Sequence, residues 1–540
     1  MIDVETLTWE APGAGQWKWD ASHLCGSPTP MQQEYHLPNM VTGISDLFER
    51  FGIPLSTFAF RIVNGKTYSR LLPIVGAESN RKPPPAPMLW LATRVHPEFR
   101  RRTRQAKRAM DERIWRAELR EWQQVQRPQW IARDAALQNV DVGALDDAAL
   151  LAHLRDCFTT TGEGHELHFK LHGTDLGPIG DLLAHCEDWG ITAHEVIGCL
   201  EGWSPASAAP VESLAALAKL VADVRALGPA AADALDAYLD EFGWRMVTSY
   251  DVDGRCLIEL PDAVLTSIRA AAVPRDDIGA TDAAERATAA LRERVPADQR
   301  TLFDELIAEA RTVYGLRDDN GPLTIEWPVG LLRRALLEAG RRLVARGALL
   351  DVEHVCELRI DEVEAMVRGG SGPSADAVAE RAADRQVLAA FRPPATLGPE
   401  EGEPPLHLMP KAMQRTTRIA ITAVQHLDAP EEREPLVGLG IGDAAYTGRA
   451  RVGIDVNDLI DTMEPGDVLV TRSTNPAFNC LLGIAGAVVC EEGGALSHAA
   501  VMARELGIPA VIGALDVIEE VPDGATVEVD PTTGRVRVLP

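Results

Sequence analysis

The feature that most restricts how this chain folds is a change of hydrophobic period near Gly438. Upstream, from about residue 15 to 370, apolar residues recur one helical turn apart. Leu332, Leu336, Ala339 and Leu343 show the pattern, with Arg333, Arg334, Arg341 and Arg342 on other faces. Downstream, apolar residues come in short runs bounded by glycine and proline. Arg449–Val452, Asp467–Thr471, Ala487–Cys490, Ala510–Ile512, Thr526–Val529 and Arg535–Leu539 read as strands. One clear helix lies among them, from about His498 to Leu506, closed by Gly507 and Pro509. The two textures predict a multidomain chain. A large, mainly α-helical (α+β) domain occupies 1–370, with short β pieces at Phe58–Gly65 and Cys256–Leu260. A small α/β domain with β/β/α layering occupies 436–540. The interval 371–435 reads as a linker with a flexible Gly369–Ser374 start, a stiffer proline-rich part at Pro393–Pro405, and a helix over about Lys411–Gln425.

Bulk properties narrow the partners. The formal charge of −27 argues against nucleic acid or an anionic membrane. The stretch Arg100–Arg108 runs against that balance, as a solvated helical face or as a docking surface for an acidic partner. The first residues lack a basic and then apolar leader, and no apolar run approaches the roughly 20 residues that span a bilayer. The cysteines show neither CxxC pairs nor zinc-ligand spacing, so no metal centre is expected and a reducing cytoplasm fits best.

The chemistry concentrates in Glu492–Gly513. A strand ends at Cys490, a Gly493-Gly494 turn follows, and a helix begins at Ser497 or His498, with Ser497 as N-cap. Unpaired N–H groups and the helix dipole favour negative charge at such a start. A phosphoryl group on His498 would meet those donors and any nest around Gly493 and Gly494. A neutral imidazole of ordinary pKa, near 6.5, is also a competent nucleophile at neutral pH.

The run resembles the swivelling phosphohistidine domain of the phosphoenolpyruvate-utilising family, which includes pyruvate phosphate dikinase, rifampin phosphotransferase and phenylphosphate synthase. The matching residues are Thr447-Gly-Arg-Ala-Arg-Val452, Gly466–Thr471, Glu492-Gly-Gly494, Ser497-His498 and Ala503–Val511. The Leu496-Ser-His form is similar to the rifampin and phenol branch. Looser likenesses to the substrate domain of rifampin phosphotransferase lie at Trp19–His23, at Arg61–Gly65 with Tyr68, at Phe242–Arg245, and from Ala310 to Leu358.

The resemblance implies a double transfer. About 40 residues follow His498, too few for a pyruvate-binding barrel, and no GxxxxGK[ST] or ATP-grasp pattern precedes it. A two-component dikinase is therefore expected. A separate ATP-grasp-type subunit binding ATP and Mg²⁺ phosphorylates His498, which passes the group to a small phenolic hydroxyl of the phenol or hydroxyphenyl-ketone type, releasing AMP and phosphate. The alternatives are a component of a rifampin-type antibiotic phosphotransferase, or a phosphocarrier whose acceptor is another protein.

For the acceptor side, His165 and His168 are the candidate bases. With His172 they share one helix face, a spacing that also occurs in polar packing and, less often, in metal ligation. Arg245 and Arg317 are candidates for phosphoryl binding or structural ion pairs. Trp17, Trp19, Phe169 and Tyr314 would either stack on an aromatic acceptor or pack the core.

Overall fold

In the N-terminal part, Asn64-Gly65 sets a tight turn. Both residues have positive φ (48° and 74°), the geometry of a two-residue hairpin. It joins strand β2 (Leu55–Val63) to β3 (Lys66–Pro73), with Val63 opposite Lys66. β1 (Trp17–Trp19) and β4 (Thr396–Leu397) complete a sheet of order β2-β3-β1-β4. The computed structural model describes residues 2, 4–20, 24, 26–75, 85–204, 229–261, 264, 280–400, 405–427, 434–454, 456–460, 462–474 and 478–539. Of the segments singled out above, 21–23 and 401–404 lie outside the described residues.

The chain divides into two compact units, residues 1–174, 251–253 and 320–418, and residues 175–250, 254–319 and 419–540. The helical region thus contributes to both. The first unit holds the small sheet and much of the helix Asp147–Asp188. The excursion at 251–253 is pinned there by side chains. The buried Asp251 carboxylate accepts from the Thr29 N–H (2.7 Å) and hydroxyl (2.6 Å), and Asp253 accepts from Arg385 Nη1 (2.6 Å). Thr29 in turn caps the helix Pro30–Arg50 by accepting the Gln32 N–H (3.0 Å), with Pro30 where no N–H partner is needed.

In the second unit the C-terminal strands form one sheet of order β11-β10-β6-β7-β8-β9-β5. These are β5 (Leu439–Ile441), β6 (Tyr446–Val452), β7 (Val468–Thr471), β8 (Ala487–Cys490), β9 (Ala510–Ile512), β10 (Thr526–Asp530) and β11 (Arg535–Val538). β6 through β9 run parallel and the outer strands antiparallel. β7 and β8 are buried along their whole length, as parallel strands covered on both faces must be. Leu469, Val488, Cys490 and Ile512 pack on one face with Ala499, Ala500 and Ala503 of the His498 helix. Val468, Val470, Val489 and Val511 face the other side with Val517, Val527 and Val529.

The strands expected downstream of Gly438 all form, and the helices His498–Leu506 and Lys411–Gln425 end where expected. Three differences have local causes. Cys256–Leu260 is not a strand, because the Glu259 carboxylate accepts the Cys256 N–H (2.8 Å) and closes a 3₁₀ turn over Leu257–Glu259. The interval 371–435 contains a further helix, Ala375–Ala390, capped by Ser374, and β4. The C-terminal domain also has one-turn helices at Val456–Leu459, Asn479–Leu482 and Val517–Glu520. Among the described residues, no helix is long and apolar enough to cross a membrane.

Candidate functional site

β7 and β8 are parallel neighbours paired through Thr471 and Cys490, so the loops leaving their carboxyl ends emerge side by side. Sites in parallel sheets form outside those ends. One loop carries Thr474 and the other runs through Gly493 and Gly494 to the His498 helix. Ser497 is its N-cap, as expected, with the side chain accepting the Ala500 N–H at 3.3 Å. Gly507, in the left-handed conformation, ends it. Gly493 has φ +110°, and a β-carbon there would lie 2.9 Å from the Ser497 side chain, so the turn excludes other residues.

His498 occupies the first helical position. Its Nδ1 lies 2.9 Å from the Thr474 hydroxyl oxygen. Nε2 is buried and has no hydrogen-bond partner among the described residues. Burial first, and then the positive charge of Arg317, push the imidazole pKa down to about 3. This corrects the ordinary pKa assumed above and keeps the ring neutral at pH 7. Arg317 itself donates from Nη1 to Leu496 O at 3.4 Å.

The expected glycine nest is only partly available. The Gly494 N–H donates to Leu427 O (2.9 Å) and the Leu496 N–H to His426 O (2.7 Å). The N–H groups of His498 and Ala499 take no partner among the described residues and are the better anion donors.

The other candidates separate. Tyr314 belongs to the same unit as His498; its hydroxyl is buried with no partner among the described residues, and burial raises its pKa. Arg245 lies over the Phe242 ring, 4.4 Å from its centre. His165 and His168 fall in the first unit. His165 is fully buried, donates from Nδ1 to Thr161 O (2.7 Å), and keeps Nε2 unpartnered among the described residues. Burial pushes its pKa down to about 4. Tyr35 and His36 pack against its ring, with centroids 5.2 and 4.7 Å away. His168 Nδ1 meets Asn320 Oδ1 at 2.6 Å, and its ring lies edge-on to Phe169 and His172. Trp17 is buried in the small sheet beside Tyr68 and Leu397, a packing role. Among the described residues, the three groups able to converge on a cation are Glu491, Asp516 and Glu519, not the histidine face.

Thr474 escaped the sequence reading, since it lies 24 residues before His498 and only strand pairing brings the two together.

Residues 463–534 match the mobile domain of PEP-utilising enzymes. This chain carries that domain. Residues 199–318 match the fourth domain of rifampicin phosphotransferase. A rifampicin phosphotransferase from Streptomyces sp is 33% identical over 325 residues, 58% of this chain and 35% of that protein. A chondramide synthase from Chondromyces crocatus is 32% identical over 324 residues, 56% of this chain and 8% of that protein. A phosphoenolpyruvate synthase from Aeropyrum pernix is 43% identical over 110 residues, 20% of this chain and 13% of that protein. The matched part thus spans about a third or less of each relative's length. The resemblance read from Ser497-His498 and its flanks is borne out.

Proposed function

We propose that this chain is the phosphohistidine-bearing component of a two-component, ATP-dependent dikinase whose acceptor is a small phenolic hydroxyl. Overall, ATP, acceptor and water give AMP, the phosphorylated acceptor and inorganic phosphate. The observation that carries this reading is the setting of His498, with Nδ1 beside the Thr474 hydroxyl and Nε2 buried without a partner among the described residues, at the head of a helix in the segment that matches the mobile domain.

With Nδ1–H donating to Thr474, the Nε2 lone pair attacks phosphorus as the bond to the leaving phosphate oxygen breaks. ATP with Mg²⁺, held by a separate ATP-binding protein, supplies the activated phosphoryl group. On this chain, burial keeps the imidazole unprotonated, and the Arg317 guanidinium offsets charge on the phosphoryl oxygens. In the second transfer the acceptor oxygen attacks phosphorus and the bond to Nε2 breaks.

A phenol is ionised in only about one molecule per thousand at pH 7, so a positioned base speeds its attack by about 10² to 10⁴. We favour His165 over His168 for that role, because its Nδ1–H is fixed on a carbonyl and its Nε2 has no partner among the described residues. The match of 199–318 favours a second reading, in which the acceptor is a rifampicin-type hydroxyl.

The test measures AMP formation by this chain with a candidate ATP-binding protein, alone, with phenolic compounds, and with rifampicin. Phenol-dependent AMP supports the first reading and rifampicin-dependent AMP the second. Turnover indifferent to both overturns the assignment of a small-molecule acceptor.

A further inference from the structure

Six residues after His498, its helix carries a buried arginine that no step above uses. Arg504 turns back along the helix, and Nη1 donates to Ala495 O at 2.9 Å and to Ala500 O at 3.3 Å. The same guanidinium reaches away from the mobile domain, with Nη2 3.1 Å from His194 Nδ1 and Nε 3.4 Å from Glu201 Oε1. The neighbouring Glu505 carboxylate accepts the Gly202 N–H at 3.2 Å. Glu201 and Gly202 open the segment that matches the fourth domain of rifampicin phosphotransferase. A buried guanidinium is costly unless its donors are satisfied, and here its partners lie in both segments.

The loop before His498 is therefore gripped from several sides. The Ala495 carbonyl is held by Arg504 and the Leu496 carbonyl by Arg317, while the Gly494 and Leu496 N–H groups donate to Leu427 and His426. Arg504 joins that loop to the Glu201–His194 face through one rigid planar group.

We propose that Arg504 is a positioning residue that ties the Ala495–Leu496 loop to the Glu201–His194 face and so keeps Nε2 of the half-buried His498 covered while that face is engaged. When the face disengages, Arg504 keeps only its two carbonyl partners. The loop then loosens, and Nε2 becomes accessible to a phosphoryl donor. The geometry stands independently of the phosphotransferase reading, while its consequence for catalysis rests on that reading.

The test follows His498 by nitrogen NMR in the full chain with ¹⁵N-labelled histidine, from about pH 8 to about pH 4. The charged group facing His498 is Arg317, which every variant retains. The other titratable groups at this face are Glu201 and Glu505, both raised by burial, Glu505 to about 7, so wild type and variants are compared at each pH, and the wild-type His498 midpoint is expected to lie well below that of the variants. Glu201→Gln combined with His194→Gln is expected to bring the His498 midpoint up towards about 6.5. Exchange of the Gly494 and Leu496 amides should quicken roughly tenfold. Arg504→Lys, which keeps the charge but loses the planar grip, should do the same. Glu201→Gln alone, at a half-buried site, is the milder variant should the double one not fold. Unchanged titration and exchange in folded Glu201 and His194 variants overturn the proposal. Failure of His498 to accept label from ATP would overturn the phosphotransferase reading and leave these signals as they are.

Discussion

The Thr474 hydroxyl oxygen lies 2.9 Å from Nδ1 of His498, across the carboxyl ends of two adjacent parallel strands. The contact is a product of topology, since β7 and β8 deliver their following loops to the same edge. It takes up Nδ1 and leaves Nε2 buried without a partner among the described residues.

Thr474→Val keeps the side-chain shape and removes the hydroxyl. The ring loses its anchor, and loading of His498 from ATP should slow on the order of 10²-fold, the usual cost of a misaligned nucleophile. Thr474→Ser should restore most of the rate. The check is the initial rate of acid-labile phosphate incorporation in the presence of the ATP-binding protein.

Arg317→Gln should act twice. Removing the cation relieves part of the depression of the His498 pKa, whose midpoint rises from about 3 but stays below 6.5, because burial is the larger cause. Transfer should also slow by about 10² to 10³, the cost of losing one aimed charge at the transition state. Arg317→Lys should lose less. Single-turnover transfer rates and the imidazole titration read the two effects separately.

Acid should destabilise the fold through two histidines whose Nε2 atoms are buried. His165 and His498 are pushed down to about 4 and about 3, so the folded state binds fewer protons than the unfolded chain. Their contribution is fully present above the ordinary histidine range near 6.5 and is lost as pH falls through about 4 and about 3. For His165 the loss can reach about 3 kcal/mol. Denaturant unfolding at several pH values should show a flatter profile for His165→Phe than for the wild type.

Gly493→Ala places a β-carbon against Ser497 in a backbone conformation that alanine resists. The expected loss is about 1 to 3 kcal/mol of mobile-domain stability. Ser497→Ala should lose about 1 kcal/mol through the missing cap. Denaturant midpoints for the two variants check both.

Much of the C-terminal domain was legible because its signals are local. Buried parallel strands read as unbroken apolar runs, and Ser497, Gly507 and Pro509 bracket the His498 helix. One-turn helices such as Val456–Leu459 are too short to display a helical period. At Leu257–Glu259 a carboxylate outcompeted the extended conformation that the residue types favour. The site itself was half visible. His498 and Ser497 are neighbours in sequence, whereas Thr474, Arg317 and Leu427 reach the loop only through tertiary structure. The depressed histidine pKa values follow from burial, which local sequence does not specify.

The most direct test is to load the chain from ATP through its ATP-binding protein and map the phosphorylated residue by mass spectrometry under alkaline conditions, beside His498→Ala. The account predicts acid-labile phosphate on His498 alone, and neither label nor phosphorylated acceptor from a variant that still folds. Label persisting on His498→Ala, or mapped to His165, His168 or any other residue, would contradict it.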